Sequence, residues 1–282
     1  MGYDSFIEIV GCNIKRSNDI IKPAVLYYDI ETKDDAGFNV RTNIIRSMAC
    51  SAGEVQVFSF DNEREIVEKF LGVAEKYDYL VAWNGDEFDE LVFLSALKRS
   101  LISIDTRRWQ FVDLGWFYKT MQQRAEVLWN LDYVSKKVLG EGKMDIKDAN
   151  GKRISTEFMF RTDREKLKAY NSTDVIRMDQ IEKALEILKT KQEMADIAGI
   201  FINEVKPSVF VDTMLLREAQ RGQERIICPS RKHGDSGEKY KGALVLIPKR
   251  GLHKNALELD FSSLYNRIVQ SFNTSIDTKD RN

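Results

Sequence analysis

Pro23-Ala24-Val25-Leu26-Tyr27-Tyr28-Asp29-Ile30-Glu31-Thr32 is the stretch on which the fold turns. Its apolar, β-branched and aromatic residues favour a strand that begins after the proline. Side chains alternate along a strand with a period of two, so Asp29 and Glu31 project from the same face near its end. Two neighbouring carboxylates can share a divalent cation. They are also what a solvated strand edge or a helix cap offers, so the pair needs support from elsewhere in the chain.

Working outward, residues 43–50 and 54–60 read as strands joined through Ala52-Gly53, a hairpin beside the first strand. Residues 63–77 place Ile66, Phe70, Val73 and Ala74 at helical spacing, and residues 79–83 return to a strand. This β-β-β-α-β opening predicts an α/β fold. A helix is expected over 89–99, a mixed segment over 125–142 and a loop or hairpin over 145–156. Between 163 and 190, Leu167, Tyr170, Val175, Met178, Ile181 and Leu185 fall close to one face of a long helix. Further helices are expected through Arg221, interrupted at Pro207.

Residues 223–239 are polar, contain Pro229, Gly234 and Gly237, and show no apolar period, which marks a boundary. Beyond it, 240–247 and 256–261 read as strands, followed by a short helix from Ser263 to about Phe272. The expected organisation is a leader over 1–23, a domain over 24–190, a helical linker region over 191–239 and a partial second domain over 240–282.

With 282 residues and 43% apolar content, the chain is long enough to bury at least one full core. Lys+Arg (43) and Asp+Glu (44) nearly cancel, so any nucleic-acid contact must come from local patches rather than a global basic field. No apolar stretch approaches the roughly 20 residues of a membrane span, and the N-terminus lacks a signal pattern. A cytoplasmic protein is expected. Cys12, Cys50 and Cys228 form no metal-spaced pair, which points to reduced thiols. His233 and His253 alone cannot supply a histidine-rich zinc site, and a Ser-His-Asp triad is disfavoured. Any catalysis falls to carboxylates.

Two further acidic clusters qualify. Trp83-Asn84-Gly85-Asp86-Glu87-Phe88-Asp89 follows a strand through an Asn-Gly turn, where Asp89 can cap the next helix and also meet a cation beside the sheet edge. Tyr170 and Asp174 stand four apart on the periodic helix, with Asp174 in line with its apolar stripe, where burial is costly without a partner. Together the clusters meet one chemical requirement. A pair of Mg²⁺ or Mn²⁺ ions, roughly 3.5–4 Å apart, takes oxygen ligands from several carboxylates and suits phosphodiester hydrolysis. Tyr170 is then placed to orient the attacking water.

Asp29-Ile30-Glu31-Thr32, Asn84-Gly85-Asp86-Glu87-Phe88-Asp89 and Tyr170-Asn171-Ser172-Thr173-Asp174 resemble, in order and approximate separation, the three exonuclease motifs of family B DNA polymerases, most closely the archaeal type. The resemblance implies an RNase H-like exonuclease domain, a mixed sheet flanked by helices, with metal ligands Asp29, Glu31, Asp89 (not Asp86) and Asp174. It makes Tyr170 the mark of the tyrosine subclass of DEDD 3′ to 5′ exonucleases and puts Asn84 and Phe88 near a single-stranded 3′ end. Tyr240-Lys241-Gly242-Ala243 is similar to the family's template-holding linker, and Asp260-Phe261-Ser262-Ser263-Leu264-Tyr265 looks like motif A of the polymerase palm. There Asp260 would bind polymerase metals and Tyr265 would pack under the incoming sugar.

The resemblance implies proofreading of single-stranded or mismatched DNA ends, with two Mg²⁺ or Mn²⁺ ions. It also has gaps. Only about 23 residues precede the first strand, Asn266 stands where the family usually has proline, and the second palm motif and the fingers motif are missing. Polymerisation is therefore expected only with a second polypeptide or a further C-terminal portion. The alternatives are a non-catalytic assembly or DNA-binding subunit and a stand-alone exonuclease; the motif-A segment speaks against the latter.

Overall fold

A computed structural model describes residues 22–33, 39–121, 128–148, 151–221, 244, 246–247, 249–257 and 259–274. The chain divides into two compact units, 1–227 and 228–282. In the first unit, five strands form one mixed sheet: β1 (Val25–Thr32), β2 (Ile45–Ser51), β3 (Val55–Phe58), β4 (Tyr79–Ala82) and β5 (Gln110–Asp113), in the order β3-β2-β1-β4-β5. β1 and β3 run antiparallel to β2, whereas β1, β4 and β5 are mutually parallel, so the acid-bearing strand lies at the centre.

The period-two pattern of β1 separates two apolar layers. Leu26, Tyr28 and Ile30 face a cluster built with α1 (Glu63–Ala74) and α2 (Asp89–Arg99), where Phe70 and Phe93 pack edge to face. Tyr27 faces the other way, with Ala49, Val81 and Val112. That layer is completed by α3 (Leu114–Met121), α4 (Leu131–Leu139), α6 (Arg164–Leu185) and α7 (Ile187–Ala198). A short α5 (Thr156–Thr162) joins the start of α6 in a third, small cluster with Ile146 and Tyr170.

Local chemistry sets the helix limits. Asn62, Asn130 and Asp163 accept backbone N–H bonds at the starts of α1, α4 and α6, while Gly140 and Gly199 take the left-handed conformation that ends α4 and α7. The expected single helix over 163–190 is in fact two. Glu186 adopts φ 49°, and the Glu182 carboxylate accepts from Leu188 N at 2.7 Å, capping the new helix and making the break self-sufficient. Pro207 does not interrupt a helix; it opens α8 (Pro207–Arg221), a position where its missing N–H has no consequence.

Three further segments bear on the expectations. α7 and the short 3-10 turn at Ile202–Glu204 pack Ala195, Ile202 and Val205 into the second layer, so no break in packing follows residue 190. The described residues of 145–156 form loops joined by an antiparallel bridge, Lys147 to Arg153, in keeping with the loop or hairpin expected there. In the second unit, the strand expected over 240–247 lies largely outside the described residues, and the described residues of 256–261 are in no strand. α9 (Leu264–Phe272) matches the helix expected there. Among the described residues, no helix is long and apolar enough to cross a membrane.

Candidate active site

β1 carries Asp29 and Glu31 onto the face covered by α6, and α6 brings Asp174 against them. Oxygen atoms of these three carboxylates lie within 4.8 Å of one another. Asp174 is fully buried, and its Oδ1 has no hydrogen-bond partner among the described residues. An orphaned carboxylate oxygen among other carboxylates is costly unless a cation meets it. The all-oxygen donor set fits a hard divalent ion such as Mg²⁺ or Mn²⁺.

Asp89 stands outside that trio. β4 pairs with β1 only as far as Tyr27, and past this point the Ile30 N–H donates to Asp89 Oδ1 at 2.9 Å. The buried Asp89 thus links the start of α2 to the strand that carries the other acids. Asp86, three residues earlier, is exposed.

Neighbours hold each acid in place. Asn171 Nδ2 donates to Asp29 Oδ2 at 2.6 Å, and Thr156 Oγ1 donates to Glu31 Oε2 at 3.0 Å. Arg46 and Arg161 both grip Glu157, which anchors the start of α5 beside Thr156. Lys143, which sequence reading placed in no element, reaches Asp174 Oδ2 with its Nζ at 2.5 Å. Its backbone N–H donates to Asp132 Oδ1 at 2.8 Å, and a Cβ at Gly142 would collide with that oxygen. A lone lysine in a polar loop gave no signal of this role.

Burial and mutual repulsion raise the proton affinity of the whole group. Burial pushes Glu31 up to about 7, with Asp174 adding to it, and pushes Asp89 up to about 8 against the pull of the Ile30 N–H. Asp29 is raised well above the usual carboxylate range by burial and by Asp174 and Asp89; Asp174 is raised by burial, which Lys143 partly offsets. Burial opposes the charge on Lys143, but Asp174, Asp29 and Tyr170 outweigh it and keep the ammonium charged. Tyr170 is pushed up to about 12, chiefly by burial, and its hydroxyl accepts a long bond of 3.5 Å from Arg153.

The sign of the resulting pH dependence is fixed. These acids keep protons in the folded state that the unfolded chain releases above about pH 4, so their contribution to stability is largest at low pH. It is lost as pH rises through about 7 for Glu31 and about 8 for Asp89. In EDTA, the melting temperature of the wild type is expected to fall from weakly acidic to weakly alkaline pH more steeply than that of Asp29→Ala. Parallel profiles would contradict this account.

Asp29 opens onto a cleft of about 260 Å³ that is also lined by Asn84, Asp132, Lys143, Arg153 and Tyr170, among others. Asn84 sits at φ 62°, and its Oδ1 is buried without a partner among the described residues. Asp113, at the end of β5, accepts from Asn84 N at 3.0 Å and Trp116 N at 2.9 Å, tying the Asn84 turn to α3. Phe88 is half-buried against the first apolar layer. A Cβ at Gly115 would come within 2.6 Å of Asn84 Oδ1 and 2.9 Å of Trp83 Nε1. Gly115→Ala is therefore expected to destabilise by about 1–3 kcal/mol through overpacking, despite alanine's better helix propensity. The change should appear as a lower melting temperature with an altered tryptophan spectrum, and unchanged values of both would count against it.

Of the remaining residues singled out by sequence, Tyr240, Lys241 and Gly242 lie outside the described residues, as do Cys12, Cys228 and His233. Asp260 and Tyr265 are in the second unit, where both are exposed.

Comparison with known proteins agrees with this architecture. The RNase_H superfamily model matches residues 26–186, and the model described as DNA polymerase family B matches residues 202–282. A DNA polymerase of Archaeoglobus fulgidus is 31% identical over 235 residues, 77% of this chain and 29% of that relative. DNA polymerase 1 of Sulfolobus acidocaldarius is 25% identical over 260 residues, 80% of this chain and 28% of that relative. The chain thus spans less than a third of the length of these relatives. The solved family B DNA polymerase of Pyrobaculum calidifontis shares the fold, with a TM-score of 0.63 at 23% identity over 92% of this chain and 36% of that one. The superfamily model matches more than half of its length, and the chain belongs to the RNase H superfamily, with a C-terminal stretch that matches the family B DNA polymerase model and an overall likeness to part of the archaeal family B enzymes.

Proposed function

We propose that this region is a 3′ to 5′ exonuclease that removes nucleotides from single-stranded or mismatched DNA ends, the proofreading part of its polymerase. The observation that carries the reading is the convergence of Asp29, Glu31 and Asp174 within 4.8 Å, with a buried, unpaired Asp174 oxygen, beside an open cleft. Mg²⁺ or Mn²⁺, when bound, supplies an activated water and neutralises charge developing at the 3′ oxygen. Asp29, Glu31 and Asp174 would hold the ions, with Asp89 contributing from the start of α2. The Tyr170 hydroxyl, at the cleft wall, orients the water. Asn84 and Phe88 would meet the terminal nucleotides, and Arg153 and Lys143 would offset phosphate charge.

Synthesis requires the rest of the polymerase, either as further chain or as a second polypeptide. In that setting Tyr240, Lys241 and Gly242 would contact template, and Asp260 and Tyr265 would take their places in the palm. The test is a 3′-labelled single strand and a mismatched primer incubated with the chain and Mg²⁺ or Mn²⁺. Stepwise shortening that EDTA stops is expected. No metal-dependent shortening of either substrate would overturn the enzymatic reading and leave a DNA-binding or assembly role.

A further inference from the structure

Ser47 and Asn171 are polar residues with no exposed surface, placed where a helix-covered sheet would ordinarily carry apolar side chains. Ser47 lies opposite Glu31 in the β1–β2 register and so shares its face of the sheet. Asn171 is one helical turn before Asp174 on α6. The Ser47 hydroxyl donates to Asn171 Oδ1 at 2.8 Å. The Asn171 amide nitrogen donates to Asp29 Oδ2 at 2.6 Å and to the Asp29 carbonyl at 3.3 Å. The chain of bonds therefore runs from β2 through α6 to β1, the elements that surround the acid cluster.

We infer that Ser47 and Asn171 act as a positioning relay, which fixes the Asp29 carboxylate so that one oxygen is held by the Asn171 amide and the other is presented to the cation. This deepens the metal-dependent reading above and rests on it. An asparagine amide has two orientations, one presenting N–H and the other an oxygen. The Asp29 carboxylate and carbonyl oxygens select the first, and the Ser47 hydroxyl, by donating to the amide oxygen, holds it there. With the amide reversed, an oxygen would face Asp29 Oδ2 and drive the carboxylate out of its rotamer. Partners of this kind, one bond removed from a metal, govern ligand orientation and affinity.

A buried Ser-Asn pair can also serve only to satisfy itself within a core, so the experiment must separate positioning from packing. Mn²⁺ binding to the full chain is measured by electron paramagnetic resonance titration for the wild type, Asp29→Ala, Asn171→Leu, Ser47→Ala and the Ser47→Ala/Asn171→Leu double variant, alongside each melting temperature in EDTA. Asn171→Leu is expected to weaken Mn²⁺ binding by about tenfold to hundredfold. The double variant replaces both polar partners by apolar groups of similar size, so it should recover thermal stability relative to Asn171→Leu. Its Mn²⁺ affinity should stay as low as that of the single variant, because the donor to Asp29 is still gone.

Ser47→Ala, the gentler change, decides the question if Asn171→Leu does not fold; it too should weaken Mn²⁺ binding, though by less. Failure of the wild type to show any Mn²⁺ site that Asp29→Ala removes overturns the metal reading and the relay with it. A wild-type site with affinity unchanged to within about twofold in the relay variants overturns the relay alone. Recovery of affinity together with stability in the double variant would reduce Ser47 and Asn171 to packing and overturn the relay as well.

Discussion

Asp174→Ala is expected to slow the Mg²⁺-dependent shortening of a 3′-labelled strand by about 10³-fold or more, with Asp29→Ala losing as much. A bound cation supplies several kcal/mol of charge stabilisation in phosphoryl transfer, and about 1.4 kcal/mol corresponds to each factor of ten. Asp174 combines a fully buried carboxylate, an oxygen without a hydrogen-bond partner and a position within reach of both β1 acids. Among the described residues, no other acid of the cluster has all three properties. Asp86→Ala is the internal control, because that side chain is exposed and should leave the rate unchanged. Tyr170→Phe, which removes only the hydroxyl proposed to orient the water, should fall between the two. Single-turnover rates at saturating Mg²⁺ check the series, and an Asp174→Ala rate within about tenfold of the wild type would place the chemistry elsewhere.

The second large effect is on the chain without metal. Lys143→Met removes the cation that stands 2.5 Å from Asp174, in a pair whose side chains are 28% and 1% exposed. Breaking a fully buried pair from one side costs about 3–5 kcal/mol; with Lys143 partly open to solvent, about 2–3 kcal/mol is expected at weakly alkaline pH. At weakly acidic pH the loss should shrink, since the carboxylates relieve their repulsion by taking up protons. Millimolar Mg²⁺ should also restore much of the stability, because a divalent ion can replace the missing ammonium. Denaturant melts in EDTA and in Mg²⁺ at the two pH values measure both trends. An equal loss under all conditions would mean that Lys143 serves by packing its stem and not by its charge.

The sequence disclosed those parts of the site that depend on local pattern. Alternation in β1 put Asp29 and Glu31 on one face, and the stripe on α6 carried Asp174 inward with Leu167 and Met178; both need only a known period. Lys143, Asn171, Ser47 and Thr156 were not legible as site neighbours, because their meaning depends on pairings more than a hundred residues apart in most cases, and a lone polar residue carries no period. Asp113 escaped for a related reason: β5 is only four residues long and was not read as a strand at all. The break at Glu186 was hidden because the apolar stripe continues across it, with the capping supplied by the Glu182 side chain rather than by a glycine or proline. In the second unit, the apolar run over 256–261 suggested a strand, but its described residues are in none, since a strand needs a partner to receive its N–H and C=O groups.

The contact between Asn171 and Asp29 spans 142 residues of chain, and this separation bears on how the protein comes into being. During synthesis the five strands can pair while α6 is still unmade, so Asp29 and Glu31 spend that interval in water, where their like charges are cheap to keep apart. Repulsion at the site begins only when α6 docks and carries Asp174 in. Lys143 lies earlier in the chain than α6 and is already present when it does. Docking of α6 is thus the step at which burial of apolar surface works directly against electrostatics, and it should be the folding event whose rate responds most strongly to Mg²⁺ and to pH.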